Sequence, residues 1–391
     1  MVKSKILSNI WKTYLFRFLI SFNLVAPILV PYYLDIGLTA TQIFILSAIA
    51  TASTLLFEVP SGYLSDVLGR KKTLFLCGVA YTFGAIIYAF SPSFYLFILA
   101  QIIFGIGASL LSGTDTSIIY DSLRQSKKIS IFKKVEGKSR FFIRIAASSA
   151  SFIGGLLVFI TLRTPFYFAI LVSILLMPLS FFMIEPKRKK RVAETNIIFD
   201  IGKISKFVLS HKKIMSITLY NALICSVMLM VITSYYLYYN LLGFNAIHNG
   251  FIYGFFMVIS ALGALSTHYI EKWVGKRNSF IFLISPAFIF ILLGFFESIF
   301  MIPLIFLNGF IWGFSRPLFS GYTNELIHSE IRATALSVSN MVKVLPIVII
   351  SPFIGKLIDA TSLSTSFIVL GIFYFLIALL SLFLLRRYRM I

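Results

Sequence analysis

The chain has 391 residues, of which 59% are apolar and only 13% charged, roughly half the charged share of an ordinary soluble domain. That composition excludes a water-soluble globular protein, because no core of this length needs so much apolar surface. A net charge of +21 would suit a nucleic-acid binder in a soluble chain, so where the basic residues fall decides what they mean.

In chain order, apolar runs long enough to cross about 30 Å of hydrocarbon as helices are predicted at 13–34, 40–60, 73–90, 94–118, 141–160, 165–184, 214–240, 247–269, 279–297, 299–321, 332–354 and 366–385. The first run has flanking lysines and no small-residue cleavage site after a short apolar core, so it reads as a crossing and not as a cleaved leader. After the sixth comes the basic run Glu185-Pro186-Lys187-Arg188-Lys189-Lys190-Arg191, then a mixed stretch to Lys213 with an amphipathic pattern from Ile197 to Leu209. The expected architecture is an all-α membrane protein with twelve transmembrane helices in two pseudo-symmetric six-helix bundles, 1–185 and 214–391, joined by a cytoplasmic linker at 186–213. The basic run reads as a solvated loop beside anionic lipid headgroups.

With the N-terminus inside, only Arg163 and Lys356 fall in outer loops, and Arg17, Arg144, Arg316 and Lys343 within spans; the rest of the 35 Lys and Arg lie in inner segments. This asymmetry predicts a multi-pass cell-membrane protein with both termini cytoplasmic, and leaves no role for nucleic acid. Cys77 and Cys225 sit in separate spans, so no disulfide framework is expected.

Weak internal repetition supports two halves. Pro31-Tyr32-Tyr33-Leu34 closes span one and Ser234-Tyr235-Tyr236-Leu237 sits near the end of span seven; Gly37 then corresponds to Gly243, and that offset carries Gly69-Arg70-Lys71 onto Gly275-Lys276-Arg277. Parallel repeats of this kind build one class of secondary transporter, with substrate held between halves that rock.

Between spans two and three stands Gly62-Tyr63-Leu64-Ser65-Asp66-Val67-Leu68-Gly69-Arg70-Lys71-Lys72. It resembles the signature loop of the major facilitator superfamily, G-x-L-x-D-x-x-G-R-K, in both spacing and topological position. Physically, Gly62 would let a neighbouring helix approach, Asp66 would pair with a dipole or a base, and Gly69 would permit the tight turn, leaving Arg70 and Lys71 to meet headgroups or an acid. The resemblance implies a gate part that latches the outward-facing state, with Arg70 contacting an acid at the inner end of span four, here Asp121. Other family marks are missing. Drug exporters of the superfamily often carry R-x-x-q-G-x-g in span four, but this chain has Gln101-Ile102-Ile103-Phe104-Gly105-Ile106-Gly107; of the span-five antiporter pattern only Gly154-Gly155 survives, with small residues suited to close helix packing.

Ionisable side chains inside spans cost roughly 2.5 to 3.5 kcal/mol each on insertion scales and are functional candidates by default. Arg17, Glu58, Asp115, Arg144 and Arg316 lie in the cytoplasmic third of their spans. They read either as structural pairs, Arg17 with Glu58 and Arg144 with Asp115 or Asp121, or as a proton-carrying acid at Glu58 or Asp115. Lys343 lies near the midplane, at the level of Asn23, Asn308 and Asn340. There it either binds a carboxylate or phosphate of a substrate, switches its own protonation, or snorkels. The string Tyr235-Tyr236-Leu237-Tyr238-Tyr239 reads as an interfacial aromatic anchor or the lining of an outer gate.

The four histidines are scattered, and no HExxH, Cys/His cluster or Walker-type glycine loop occurs, so no catalytic residue, metal, cofactor or nucleotide site is expected. The leading expectation is a monomeric, alternating-access secondary transporter that exports an amphipathic drug-like or metabolite substrate in exchange for protons. An importer or facilitator of an anionic solute, and a lipid flippase or non-transporting sensor on the same scaffold, are the alternatives.

Overall fold

The computed structural model describes residues 2–186, 206, 208–327, 332–388 and 390, and every regular element among them is helical. The helices are α1 (Val2–Ser21), α2 (Leu29–Asp35), α3 (Ala40–Leu68), α4 (Arg70–Phe90), α5 (Phe94–Leu111), α6 (Thr114–Gln125), α7 (Phe132–Leu157), α8 (Thr164–Ile174), α9 (Leu176–Phe181), α10 (Lys212–Leu241), α11 (Ala246–Phe282), α12 (Ser285–Phe295), α13 (Ile302–Leu326), α14 (Arg332–Ala360) and α15 (Leu363–Arg387). In hydrocarbon each backbone polar group must be satisfied within its own segment, so the apolar runs become helices. Ten helical stretches among the described residues are long and apolar enough to cross a membrane, and Ser285–Phe295 is a shorter apolar helix. Most of the linker predicted at 186–213, including nearly all of its amphipathic stretch, lies outside the described residues.

Four predicted crossings are interrupted among the described residues: the sixth at Leu175, the ninth at 283–284, and the first and fourth at sharper breaks. The first divides into α1 and α2 around residues 22–28, where the Asn23 side-chain oxygen accepts the N–H groups of Val25 and Ala26 at 3.1 Å each. Asn favours such local turns, and Pro27 bars helical geometry to the residue before it. The fourth breaks at Gly113, whose φ of +75° ends α5 and starts α6.

The chain forms two compact units. The first comprises residues 1–38, 49–193 and 246–254. In it α4 packs on α5, α8 and α9, around a core of Phe16, Leu74, Cys77, Ile118 and Leu176. Close approach is allowed by glycine in α7: a β-carbon at Gly154 would lie 2.1 Å from the carbonyl oxygen of Leu24, and one at Gly155 would lie 2.9 Å from the Cα of Gly250. These are the small residues expected to pack helices closely. The second unit comprises residues 39–48, 194–245 and 255–391, and Phe44, Met230, Ile354 and Leu370 form a core within it. There the Asp359 carboxylate accepts the N–H groups of Ala40 and Thr41, at 3.0 and 2.8 Å, satisfying orphan donors at the start of α3.

The two repeats share backbone geometry. Gly37 and Gly243 both turn through positive φ, +86° and +79°, and Gly69 and Gly275 adopt the same unusual conformation, φ/ψ of 105°/155° and 82°/160°. Tyr32 and Tyr238, related by the offset of the glycines, both donate their hydroxyls to carbonyls at the ends of later helices, Tyr88 at 2.9 Å and Phe296 at 2.8 Å. The equivalent of Tyr32 is therefore Tyr238, and not the Tyr235 that the matching strings suggest.

Candidate functional site

Four groupings collect the residues singled out in the sequence. The signature loop is the first. Its break is made by Gly69, in a region of φ/ψ essentially reserved for glycine, so α3 ends and α4 begins without an intervening coil. The exposed N–H groups of Arg70 and Lys71 donate to the two carboxylate oxygens of Glu185, at 2.9 Å each. An acid at a helix N-terminus satisfies orphan donors and complements the helix dipole. Arg70 Nη1 lies 2.9 Å from Asp66 Oδ1 and donates to Ser65 Oγ at 2.7 Å, while Arg70 Nε is 3.8 Å from Asp121 Oδ2. Lys71 Nζ sits 4.5 Å over the Phe181 ring. Thus the structure brings Asp66, Arg70 and Asp121 together. At Gly62 a β-carbon would meet no described atom within 4 Å, so the helix approach expected there is not made, because this face of α3 is exposed. Glu185 was missed as a loop residue, although it is the acid just before the basic run.

The second grouping surrounds Arg17, whose side chain is 1% exposed. Its Nε donates to Asp115 Oδ2, its Nη1 to Glu136 Oε2 and Ser139 Oγ, and its Nη2 to Thr116 Oγ1, all at 2.7 Å. The structure therefore pairs Arg17 with Asp115 and Glu136, where the sequence suggested Glu58. Two local features cause this. The turn at Gly113 swings the first turn of α6 onto α1, and α7 begins at Phe132, well before the predicted span, carrying Glu136 onto the same arginine. The polar stretch around Glu136 read as a loop, yet Glu136 and Arg140 have helical spacing and form an i, i+4 pair at 3.0 Å. Glu58 and Arg144 are half-buried in α3 and α7.

The third is a cavity of about 310 Å³ in the first unit. Asn23, in the break between α1 and α2, lines it together with Tyr81, Tyr88, Gln101, Phe104 and Phe166. Gln101 Nε2 donates to the hydroxyls of Tyr88 at 2.8 Å and Tyr33 at 3.3 Å, and these hydroxyls are 2.5 Å apart. The sequence marked Gln101 only as a departure from an arginine pattern.

The fourth lies in the second unit. Asn308, fully buried, donates to the Tyr235 hydroxyl at 2.6 Å, and its Oδ1 is buried without a hydrogen bond among the described residues. Lys343 donates to Asn340 Oδ1 at 2.9 Å, one turn away on α14. Arg316 stacks its guanidinium 4.6 Å from the Trp312 ring on α13, a cation–π contact. Tyr235, Tyr236, Tyr238 and Tyr239 are all buried, at most 4% exposed. They do not stand exposed as an interfacial anchor: consecutive positions on α10 point around the helix, yet each of the four side chains is covered by protein.

Residues 14–351 match the family model described as Major Facilitator Superfamily. The chain is similar to the quinolone resistance protein NorA of Staphylococcus aureus, 26% identical over 175 residues that make up 45% of this chain and 44% of that protein. An uncharacterized MFS-type transporter of Methanocaldococcus jannaschii is 28% identical over 206 residues, 50% of this chain and 49% of that one. The chain spans about half the length of the curated relatives it matches. Among solved structures, a mutant of the nucleoside transporter NupG superposes with a TM-score of 0.83 at 15% identity, covering 96% of this chain and 99% of that one. An inward-facing bacterial homolog of the human lysosomal transporter Spinster superposes at 0.77, also at 15% identity, over 98% and 97% of the two chains. These solved structures share the helical fold. With a family model spanning most of its length, the signature loop between α3 and α4 and repeats that share backbone geometry, the chain belongs to the major facilitator superfamily of membrane transporters.

Proposed function

We propose that the protein is an alternating-access secondary transporter of the cell membrane that exports an amphipathic, drug-like or metabolite solute in exchange for protons. In this reading it works as a monomer among lipids, with both termini in the cytoplasm. The observation that carries the coupling is buried Arg17 bonded at 2.7 Å to both Asp115 and Glu136. One guanidinium balances one carboxylate. The second acid draws further support from Arg140, whose side chain is 66% exposed and therefore screened. The cluster can accept one proton and still keep a buried ion pair, which is what a reversible proton site inside a bundle requires. Export as the direction rests on the likeness of about half the chain to a quinolone resistance protein. In the same reading the Asp66–Arg70–Asp121 contacts, with Glu185 behind them, form a latch on the cytoplasmic side.

Everted membrane vesicles test the coupling. With an acid interior, wild-type protein should accumulate a quinolone. Asp115→Asn and Glu136→Gln should lose this gradient-driven accumulation while keeping gradient-independent counterflow. Full gradient-driven accumulation in both single variants and in their double variant overturns the assignment.

A second reading makes the solute an anion taken up or passed downhill. It is favoured by Lys343, whose ammonium donates to the neutral Asn340 and forms no ion pair with an acid among the described residues, leaving it available to a carboxylate or phosphate. Counterflow with benzoate or inorganic phosphate against a quinolone separates the two readings. An anion subsite predicts that Lys343→Met abolishes anion counterflow and Lys343→Arg retains part of it; an unaffected Lys343→Met removes it.

A further inference from the structure

The cavity of the first unit has a chemistry that the transport reading does not use. At about 310 Å³ it sits at the lower end of the range of small-molecule sites, roughly 300 to 1,000 Å³, room for a molecule of one or two rings. No residue that lines it is ionisable to a charge at neutral pH. An anion entering it would lose its hydration without gaining a positively charged partner, so the occupant carries no negative charge. The walls are aromatic faces already set at stacking distances: Phe104 lies 5.6 Å from Tyr81 and 5.8 Å from Tyr88, and Tyr88 lies 5.9 Å from Phe166 with the two rings nearly parallel at 11°. A flat ring laid against the cavity-facing sides of these rings extends the stacks.

Three polar groups on the lining remain unspent. Gln101 uses its amide N–H groups on the hydroxyls of Tyr33 and Tyr88, which holds the side chain in one orientation. Its carbonyl oxygen accepts no hydrogen bond from a described residue, and the side chain lines the cavity. The Tyr81 hydroxyl and the side-chain NH2 of Asn23, both also on the lining, have no hydrogen-bond partner among the described residues either. A fixed acceptor in a mostly apolar, aromatic space favours a donor, because an occupant that cannot donate leaves the oxygen desolvated and unpaired.

We propose that this cavity binds aromatic molecules of one or two rings that carry no negative charge and present an N–H or O–H group, and that Gln101 is the residue that selects for that donor. Gln101 stands where the drug-exporter pattern has an arginine, so the substitution turns a cationic position into a neutral, hydrogen-bonding one. The inference concerns binding, and it stands apart from the direction and coupling of transport.

The test is equilibrium binding of tritiated indole to the purified full-length protein in detergent by scintillation proximity. Benzofuran, the same ring system with oxygen in place of the N–H, and benzoate serve as competitors. Wild-type protein should bind indole about five- to tenfold more tightly than benzofuran, the worth of one hydrogen bond, and benzoate should not compete. Gln101→Met, which keeps the length of the side chain and removes the amide, should weaken indole by that factor and leave benzofuran unchanged. Ala169→Leu and Ala108→Leu, which fill the cavity from α8 and α5, should weaken both ligands; two variants are used so that misfolding of one does not decide the outcome. Equal wild-type affinities for indole and benzofuran, indole binding unchanged in the filled variants, or no saturable indole binding would each overturn the proposal. Saturable indole binding together with gradient-independent vesicle transport would overturn the coupling proposal alone.

Discussion

Replacing Arg17 by Met removes the most heavily bonded charge in the first unit, and its cost can be worked from the geometry. Four hydrogen bonds of 2.7 Å disappear, and Asp115 and Glu136 are left facing each other without the guanidinium. Removing one partner of a fully buried pair costs about 3 to 5 kcal/mol, whereas an exposed pair is worth about 0 to 1 kcal/mol. The arginine is 1% exposed and the two acids 15% and 19%, so the carboxylates are less deeply buried than the cation. The expected loss is about 2 to 4 kcal/mol, between those limits and nearer the buried one. Adding Asp115→Asn should return about 1 kcal/mol or more, since contacting groups couple by about 0.5 to 3 kcal/mol and one of the two stranded charges is gone. Unfolding in detergent mixed with increasing dodecyl sulfate, followed by tryptophan fluorescence, reads both numbers. The reasoning is refuted if Arg17→Met lies within about 0.5 kcal/mol of wild type, or if the double variant is destabilised by the sum of the single ones.

Other positions give outcomes of different kinds. Gly69→Ala should destabilise by about 1 to 3 kcal/mol from backbone strain alone, and its β-carbon would lie 2.9 Å from the Glu185 carboxylate; the same unfolding assay checks it, and a neutral result would mean that the turn is not held. Asp66→Asn should weaken its pairing with Arg70 and shift the balance of inward and outward states, read as a change in labelling of single cysteines placed on the two sides; unchanged labelling and transport remove the latch. Gly154→Leu forces a side chain where the Leu24 carbonyl stands 2.1 Å from the β-carbon position, so folded protein recovered in detergent should fall sharply, while Gly62→Leu, in open space, should leave recovery unchanged.

Much of the fold was legible because hydrocarbon leaves the backbone one choice, and hydropathy then reads out the spans almost directly. The interruptions were legible in principle too. Asn23 with Pro27, and Ser112-Gly113, are ordinary punctuation of a helix, overridden by the length of the apolar runs around them. The pairing of charges was not legible, since position along a span is a single coordinate while an ion pair needs the direction of the side chain and the identity of the neighbouring helix. Arg17 and Glu58 sit at similar predicted depth, yet the partners of Arg17 come from the first turn of α6 and from a stretch of α7 that was read as loop. Of the cavity the sequence marked only Asn23 as a candidate, because Asn23, Tyr81, Gln101 and Phe166 lie on separate segments, and only packing joins them.

The proton site and the aromatic cavity share their supports, and the two proposals together make a prediction that neither makes alone. Leu19, Ile20 and Phe22, just beyond Arg17, line the cavity, and Arg17 anchors that end of α1. Asp115 follows the turn at Gly113 that ends α5, the helix that supplies Gln101, Phe104 and Ala108 to the cavity. The Arg17–Asp115 bond therefore ties two walls of the cavity together at one end. Protonation of Asp115 weakens that tie, so the affinity of the cavity for an uncharged ring should depend on pH although the ring itself does not titrate. Asp115→Asn, which imitates the protonated acid, should remove the dependence and hold the affinity at its low-pH value. Coupling between sites of this kind is typically about 1 to 3 kcal/mol, roughly 5- to 150-fold in affinity. Indole binding measured across pH in wild type and in Asp115→Asn decides the matter, and by reciprocity indole should shift proton uptake by the same factor. A pH-independent wild type, or a variant that still follows pH as the wild type does, would separate the two sites and leave the ion cluster a structural role.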